Sequence, residues 1–218
     1  TVSDFNKDEI EKQLSINSSV VNTTWKNSKG EVNKLNIIDT PGYMDFLGEV
    51  KAALRVTDTA IVLVDAFKGV EVGTEICFKY TKDYNNNIIF LINKVDTENS
   101  NFEEAVSQVK ESFGSEVAVV QFPVDHGTGF HNIIDVIKMK LYKFDMSGKG
   151  EYKVEDIPSD IMSKAEDYRQ NLIEAIAAED DSLMEKFFEG GLNEEDILIG
   201  LRKGLRERKL FPVFCSSA

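Results

Sequence analysis

The sequence predicts an α/β fold: a doubly wound, mostly parallel sheet interrupted by an inserted α+β sub-domain. Three observations predict it. Thr59 to Asp65 (TAIVLVD) and Asn87 to Asn93 (NIIFLIN) are nearly continuous apolar runs of strand length, the pattern of strands buried on both faces of a parallel sheet. A helical stripe follows each run, the βαβ alternation that builds such sheets. After about Val124 that alternation stops, and from Ser159 three helical stripes come in succession.

In chain order, Val20 to Trp25 and Leu35 to Asp39 read as strands, and the turn-forming run 27–30 between them makes a hairpin. Phe46, Leu47, Val50 and Leu54 fall on one helical face. Ile76, Cys77 and Tyr80 mark the helix after the first apolar run. Phe102, Val106, Val109 and Phe113 mark the helix after the second, and Val117 to Val124 is again a strand. His131 to Phe144 is strand-rich. The later stripes are Ile161, Ala165, Tyr168, Leu172 and Ile176, then Leu183, Phe187 and Phe188, then Ile197, Leu198, Leu201 and Leu205, with Gly190-Gly191 separating the last two. Leu210 to Cys215 returns to strand character. The expected organisation is a main domain over 1–124, an insert over 125–209 packing as its own apolar lobe, and a return strand over 210–218.

The chain has 218 residues, 42% of them hydrophobic, enough for one large domain or a domain with a sub-domain. No run of 18 or more apolar residues is present, so no membrane span is expected. The polar, acidic stretch from Thr1 to Glu11 is not a secretory signal. Cys77 and Cys215 lie far apart with no metal-type spacing, as reduced thiols of a cytoplasmic protein do. The net charge of −13 argues against DNA or RNA binding through a broad basic face. Nothing suggests an obligate oligomer. His126 and His131 read as structural, and the basic run 202–209 suits a helix C-terminus.

Three short motifs carry chemistry. Asp39-Thr40-Pro41-Gly42 follows the strand Leu35 to Ile38, and ligands of such sheets bind at carboxyl ends of strands. A single Asp there can hold Mg²⁺, which keeps most of its waters. The Gly lets a backbone N–H approach a terminal phosphate. Asn93-Lys94-Val95-Asp96 ends the second apolar run. Its Asp can accept from both N1–H and the exocyclic amine of guanine, a donor pair adenine lacks. Asn93 can contact the ring edge, and the Lys94 stem can cover the base face. Ser216-Ser217-Ala218 follows the last strand, where small residues let backbone amides reach the guanine carbonyl. Each is a weak signal alone. Their order, each at a strand end, resembles the third, fourth and fifth motifs of P-loop GTPases.

The resemblance narrows to the elongation factor G family. Asn36 to Val56 (NIIDTPGYMDFLGEVKAALRV) looks like that family's second switch and following helix, and Gly129 to Tyr142 (GFHNIIDVIKMKLY) and Glu166 to Leu205 resemble its inserted sub-domain. Pro212 to Ala218 (PVFCSSA) resembles its fifth motif. Glu9 to Ile16 (EIEKQLSI) resembles its first switch, with Ser15 at the hydroxyl position that meets Mg²⁺ and Gln13 where the family often has Gly. The resemblance implies GTP or GDP with Mg²⁺ at Ser15 and Asp39, nucleotide contacts along Asp39 to Tyr43, Asn93 to Asp96 and Ser217-Ala218, and hydrolysis on the ribosome. It also implies contact with the ribosomal stalk proteins and ribosomal RNA through the intact protein. Ribosomal protection, or nucleotide-gated ribosome binding with weak hydrolysis, is the alternative.

Two departures bear on mechanism. No G-x-x-x-x-G-K-[S/T] loop occurs in the sequence, so the chain is expected to be an N-terminally truncated, monomeric GTP-binding domain that is inactive by itself. Tyr43 stands where the family typically has a histidine that positions the attacking water. An imidazole can accept or donate near neutral pH, whereas a phenol is a poorer partner for water activation.

Overall fold

The computed structural model describes residues 3–27, 29–145 and 150–217. The chain opens with α1 (Lys7–Lys12) and the antiparallel hairpin β1 (Ser19–Lys26) and β2 (Val32–Asp39), in which Ser19 pairs with Asp39. A 3-10 turn (Met44–Phe46) leads into α2 (Leu47–Leu54). Then come β3 (Thr59–Asp65), α3 (Val72–Asp83), β4 (Asn87–Asn93), α4 (Phe102–Phe113) and β5 (Val117–Val119). A second, antiparallel sheet is built from β6 (Gln121–Pro123), β7 (Asn132–Asp135), β8 (Lys140–Phe144) and β9 (Tyr152–Glu155). Helices α5 (Ser159–Ala177), α6 (Asp181–Gly190) and α7 (Glu194–Glu207) follow, and β10 (Phe211–Cys215) closes the described chain. No helix among the described residues is long and apolar enough to cross a membrane.

The parallel sheet has the order β3-β4-β10-β5. Its central strand β4 follows from its sequence: Ile88, Phe90 and Ile92 are at most 1% exposed, while the alternate residues are only partly covered. Strands alternate faces at every residue, so these three share one face. Against that face α3 and α4 bring Phe78 and Phe113, whose rings lie 4.2 Å apart, and Phe113 stacks on Phe90 at 5.2 Å. Phe211 of β10 meets Phe78 edge-on. Offset and edge-to-face rings add to the area each buries.

The expected separate lobe from Val124 to about Leu210 is corrected by the packing. Leu172 of α5 and Leu201 of α7 belong to one continuous buried cluster with Phe90, Val106 and Phe113, and Ile161 and Phe187 pack at its margin. A helical stripe reports that one face is buried, not against which surface. Here β10 returns to the middle of the parallel sheet and draws α7 onto β4 and β10. Val120 joins the two sheets: its N–H donates to the Val213 carbonyl, and its carbonyl accepts from the Val136 N–H. From α5, Tyr168 packs on Phe122, Arg169 donates to the Val136 carbonyl and Lys164 pairs with Glu103 of α4.

A second correction concerns the hairpin. Among the described residues β2 pairs only with β1, and the two form their own sheet. Asp39 is therefore not on a strand of the parallel sheet. Every residue of β2 except Ile38 is exposed, and on β3 at the sheet edge Ile61 and Leu63 are exposed too. Apolar alternation marks such segments as strands without naming a lateral partner.

Candidate nucleotide-binding site

The fourth and fifth motifs meet directly. Asn93 ends β4, and the Ser216 hydroxyl, one residue past β10, donates to its Oδ1 at 2.8 Å. The Ser216 N–H donates to the Ile92 carbonyl and its carbonyl accepts from Val95 N–H. The 93–96 turn is then fixed from all sides. Val95 is fully buried, its carbonyl accepts from Gly127 N–H at 2.7 Å and from the Ser100 hydroxyl at 2.8 Å, and the Asn93 carbonyl accepts from Ala66 N–H. Lys94 takes the left-handed conformation, φ +61°. Its carbonyl is held by the N–H and hydroxyl of Thr97. Asp96 is half-buried and Ser217 exposed at the same edge. Ala218 lies outside the described residues.

Lys94 reaches sideways to the next strand, where its Nζ lies 3.0 Å from Asp65 Oδ2. Asp65 ends β3 in register with Asn93, and its Oδ1 accepts from the Phe67 and Lys68 amides. Burial pushes the Asp65 carboxyl up, but the Phe67 amide, Lys94 and the Lys68 amide together hold it below the usual carboxylate range. Motif reading did not single out Asp65, and it gave the Ser216 side chain no partner. The strand-end rule that singled out Asn93 applies equally to the last residue of TAIVLVD.

The third motif follows β2, in the separate hairpin sheet. Asp39 is exposed at the end of β2, Pro41 is buried, Gly42 is exposed, and Tyr43, 61% exposed, precedes the 3-10 turn. A carboxylate joins this region to the first segment: Glu49 of α2 accepts from Ser18 N–H at 2.9 Å, which lowers its pKa. Upstream, Glu9 Oε1 accepts from the Ile16 and Asn17 amides, both at 2.9 Å. The Ser15 hydroxyl donates to Asp4 Oδ1 at 2.7 Å. Gln13 ends α1 in the left-handed region, φ +52°, a conformation that Gly reaches without strain. Among the described residues no group of three or more His, Cys, Asp or Glu could hold a metal by itself.

A parallel sheet with two motif turns locked together at its carboxyl edge defines a GTPase-type nucleotide-binding domain. A family model described as the elongation factor Tu GTP binding domain matches residues 1–218. The chain belongs to that family. Elongation factor G of Ureaplasma parvum serovar 3 is 37% identical over 216 residues, covering 99% of this chain and 31% of that protein. Elongation factor G of Ureaplasma urealyticum serovar 10 matches at the same 37% over 216 residues. A crystal structure of a protein from Thermus thermophilus superposes with a TM-score of 0.88 at 25% identity, covering 100% of this chain and 32% of that one. The chain thus spans 31% of the length of the curated relatives it matches.

Proposed function

We propose that this chain is the GTP-binding part of an elongation factor G-like translational GTPase, which binds GTP with Mg²⁺ and hydrolyses it on the ribosome in translocation or a related step. The observation that carries the reading is the 37% identity to elongation factor G over 99% of the chain, insert included. It favours an elongation factor over ribosomal protection.

Asp96 would read the guanine N1–H and amine, Asn93 the ring edge, and the backbone at Ser217 and Ala218 the carbonyl. Val95, buried beneath the turn, anchors that edge. Asp39 and Ser15 would hold Mg²⁺. One carboxylate and one hydroxyl fit an ion that keeps its waters and shares phosphate oxygens. When bound, the ion neutralises charge on the phosphates. Thr40, Pro41 and Gly42 would carry the terminal-phosphate contact and Tyr43 would orient the water. Residues 125–209 would meet the stalk proteins, with ribosomal RNA contacted by the intact cytoplasmic protein.

Tyr43 favours one second reading, a nucleotide-gated ribosome-binding protein with weak hydrolysis. Single-turnover GTP hydrolysis by the intact protein on ribosomes separates the two. As a GTPase it turns over on ribosomes and loses activity in Tyr43→Phe. As a gated binder it hydrolyses negligibly, and Tyr43→His raises the rate by about tenfold or more.

A further inference from the structure

We infer that Asp65 is a positioning residue for the nucleotide: it pins the Lys94 stem across the edge where the base is read. The inference rests on the guanine-site reading above. Asp65 and Asn93 are register partners on adjacent parallel strands, so the last residue of β3 lies beside the first residue of the motif. Lys94 leaves β4 at φ +61°. Its four-carbon stem then runs to a carboxylate 3.0 Å from Nζ. That carboxylate is itself hydrogen-bonded to the backbone. Its side chain is only 16% exposed, and its other oxygen is fixed by the Phe67 and Lys68 amides. The loop carrying those amides is held in turn, since Gln108 of α4 accepts from Val70 N–H at 3.0 Å.

With the Lys94 side chain 52% exposed, the pair contributes little to stability. Its effect lies elsewhere. A free lysine stem samples many rotamers and must be ordered when a base slides beneath it, whereas a pinned stem is ordered beforehand. Asp65 therefore raises affinity without reading the base, because the discriminating hydrogen bonds belong to Asp96.

The test is a double-mutant cycle on the intact protein, with dissociation constants for GDP and for inosine diphosphate, which lacks the 2-amino group. Asp65→Asn keeps an oxygen for the two amides and loses the charge for Lys94. It is expected to weaken both ligands equally, by about three- to tenfold, with the melting temperature unchanged. In a Lys94→Ala background, Asp65→Asn should cost nothing further. Wild-type affinity in Asp65→Asn, a loss that persists undiminished without Lys94, or a large fall in melting temperature would overturn the role. Asp96→Asn tests the underlying site separately. It should shift preference from GDP toward xanthosine diphosphate, and an unchanged preference removes the base site itself, whatever Asp65 does.

Discussion

The Ser216 hydroxyl donates to Asn93 Oδ1 at 2.8 Å, tying together two residues 123 positions apart in sequence. With that oxygen engaged, the Asn93 amide orientation is set by β10. The 93–96 turn after β4 is therefore tied to β10, the last strand among the described residues.

Ser216→Ala removes this bond and leaves Asn93 Oδ1 without that donor. A net hydrogen bond contributes about 1 kcal/mol, so urea denaturation should show a loss of that order. Guanine-nucleotide affinity of the intact protein should fall with it. Ser216→Thr, which keeps the hydroxyl, should retain more of both.

Gly200 of α7 tests the shared core. A Cβ there would stand 2.2 Å from Ile176 Cγ2 and 2.9 Å from Leu183 Cδ1. Alanine gains about 1 kcal/mol of helix propensity, but overpacking costs about 1–3 kcal/mol. Gly200→Ala should be net destabilising in chemical denaturation. Its unfolding should coincide whether followed in the helices or in the parallel sheet, because one apolar cluster spans both. Two separate transitions would contradict that cluster.

Glu9 makes the first segment acid-sensitive. Hydrogen bonds from the Asn17 and Ile16 amides lower its pKa from 4.5 to about 2. A carboxyl depressed on folding contributes stability above its unfolded value and loses it as pH falls through the folded one. The segment should therefore loosen between about pH 4.5 and pH 2, seen as faster exchange of the Ile16 and Asn17 amides. Glu9→Gln should exchange faster at neutral pH and lose the dependence in that window.

Gln13 occupies left-handed backbone at φ +52°, which costs an L residue about 1–2 kcal/mol. Gly avoids that cost but loses about 0.5–1 kcal/mol of chain entropy. Gln13→Gly should stabilise the 4–17 segment by about 0.5–1 kcal/mol. Slower exchange of the Leu14 amide, which donates to the Glu9 carbonyl, is the readout.

The 218-residue chain by itself should bind GTP weakly. On the proposed reading Asn93, Lys94 and Asp96 would meet the base, but the sequence holds no G-x-x-x-x-G-K-[S/T] loop. Charge-assisted bonds to phosphates contribute roughly 1.5–3 kcal/mol each. Without several of them, affinity should fall by about a thousandfold or more. Titration calorimetry with GTP and Mg²⁺ decides it, and sub-micromolar binding would require another phosphate site in the chain.

The sequence by itself determined the parts that depend on local period. The runs 59–65 and 87–93 had to be strands, the stripes from Ile161 to Leu205 had to be helices, and the ends of those strands had to carry Asp65 and Asn93. It also placed Asn93-Lys94-Val95-Asp96 at the end of the second of those strands. Only the tertiary structure decided that β10 enters between β4 and β5, that Ser216 locks Asn93, that Lys94 reaches Asp65, and that α5 and α7 share the main core. It also decided that β2 pairs with β1 alone among the described residues. Periodicity records which face of a segment leaves water. Which distant segment covers that face depends on pairings across more than a hundred residues, and no local pattern encodes them.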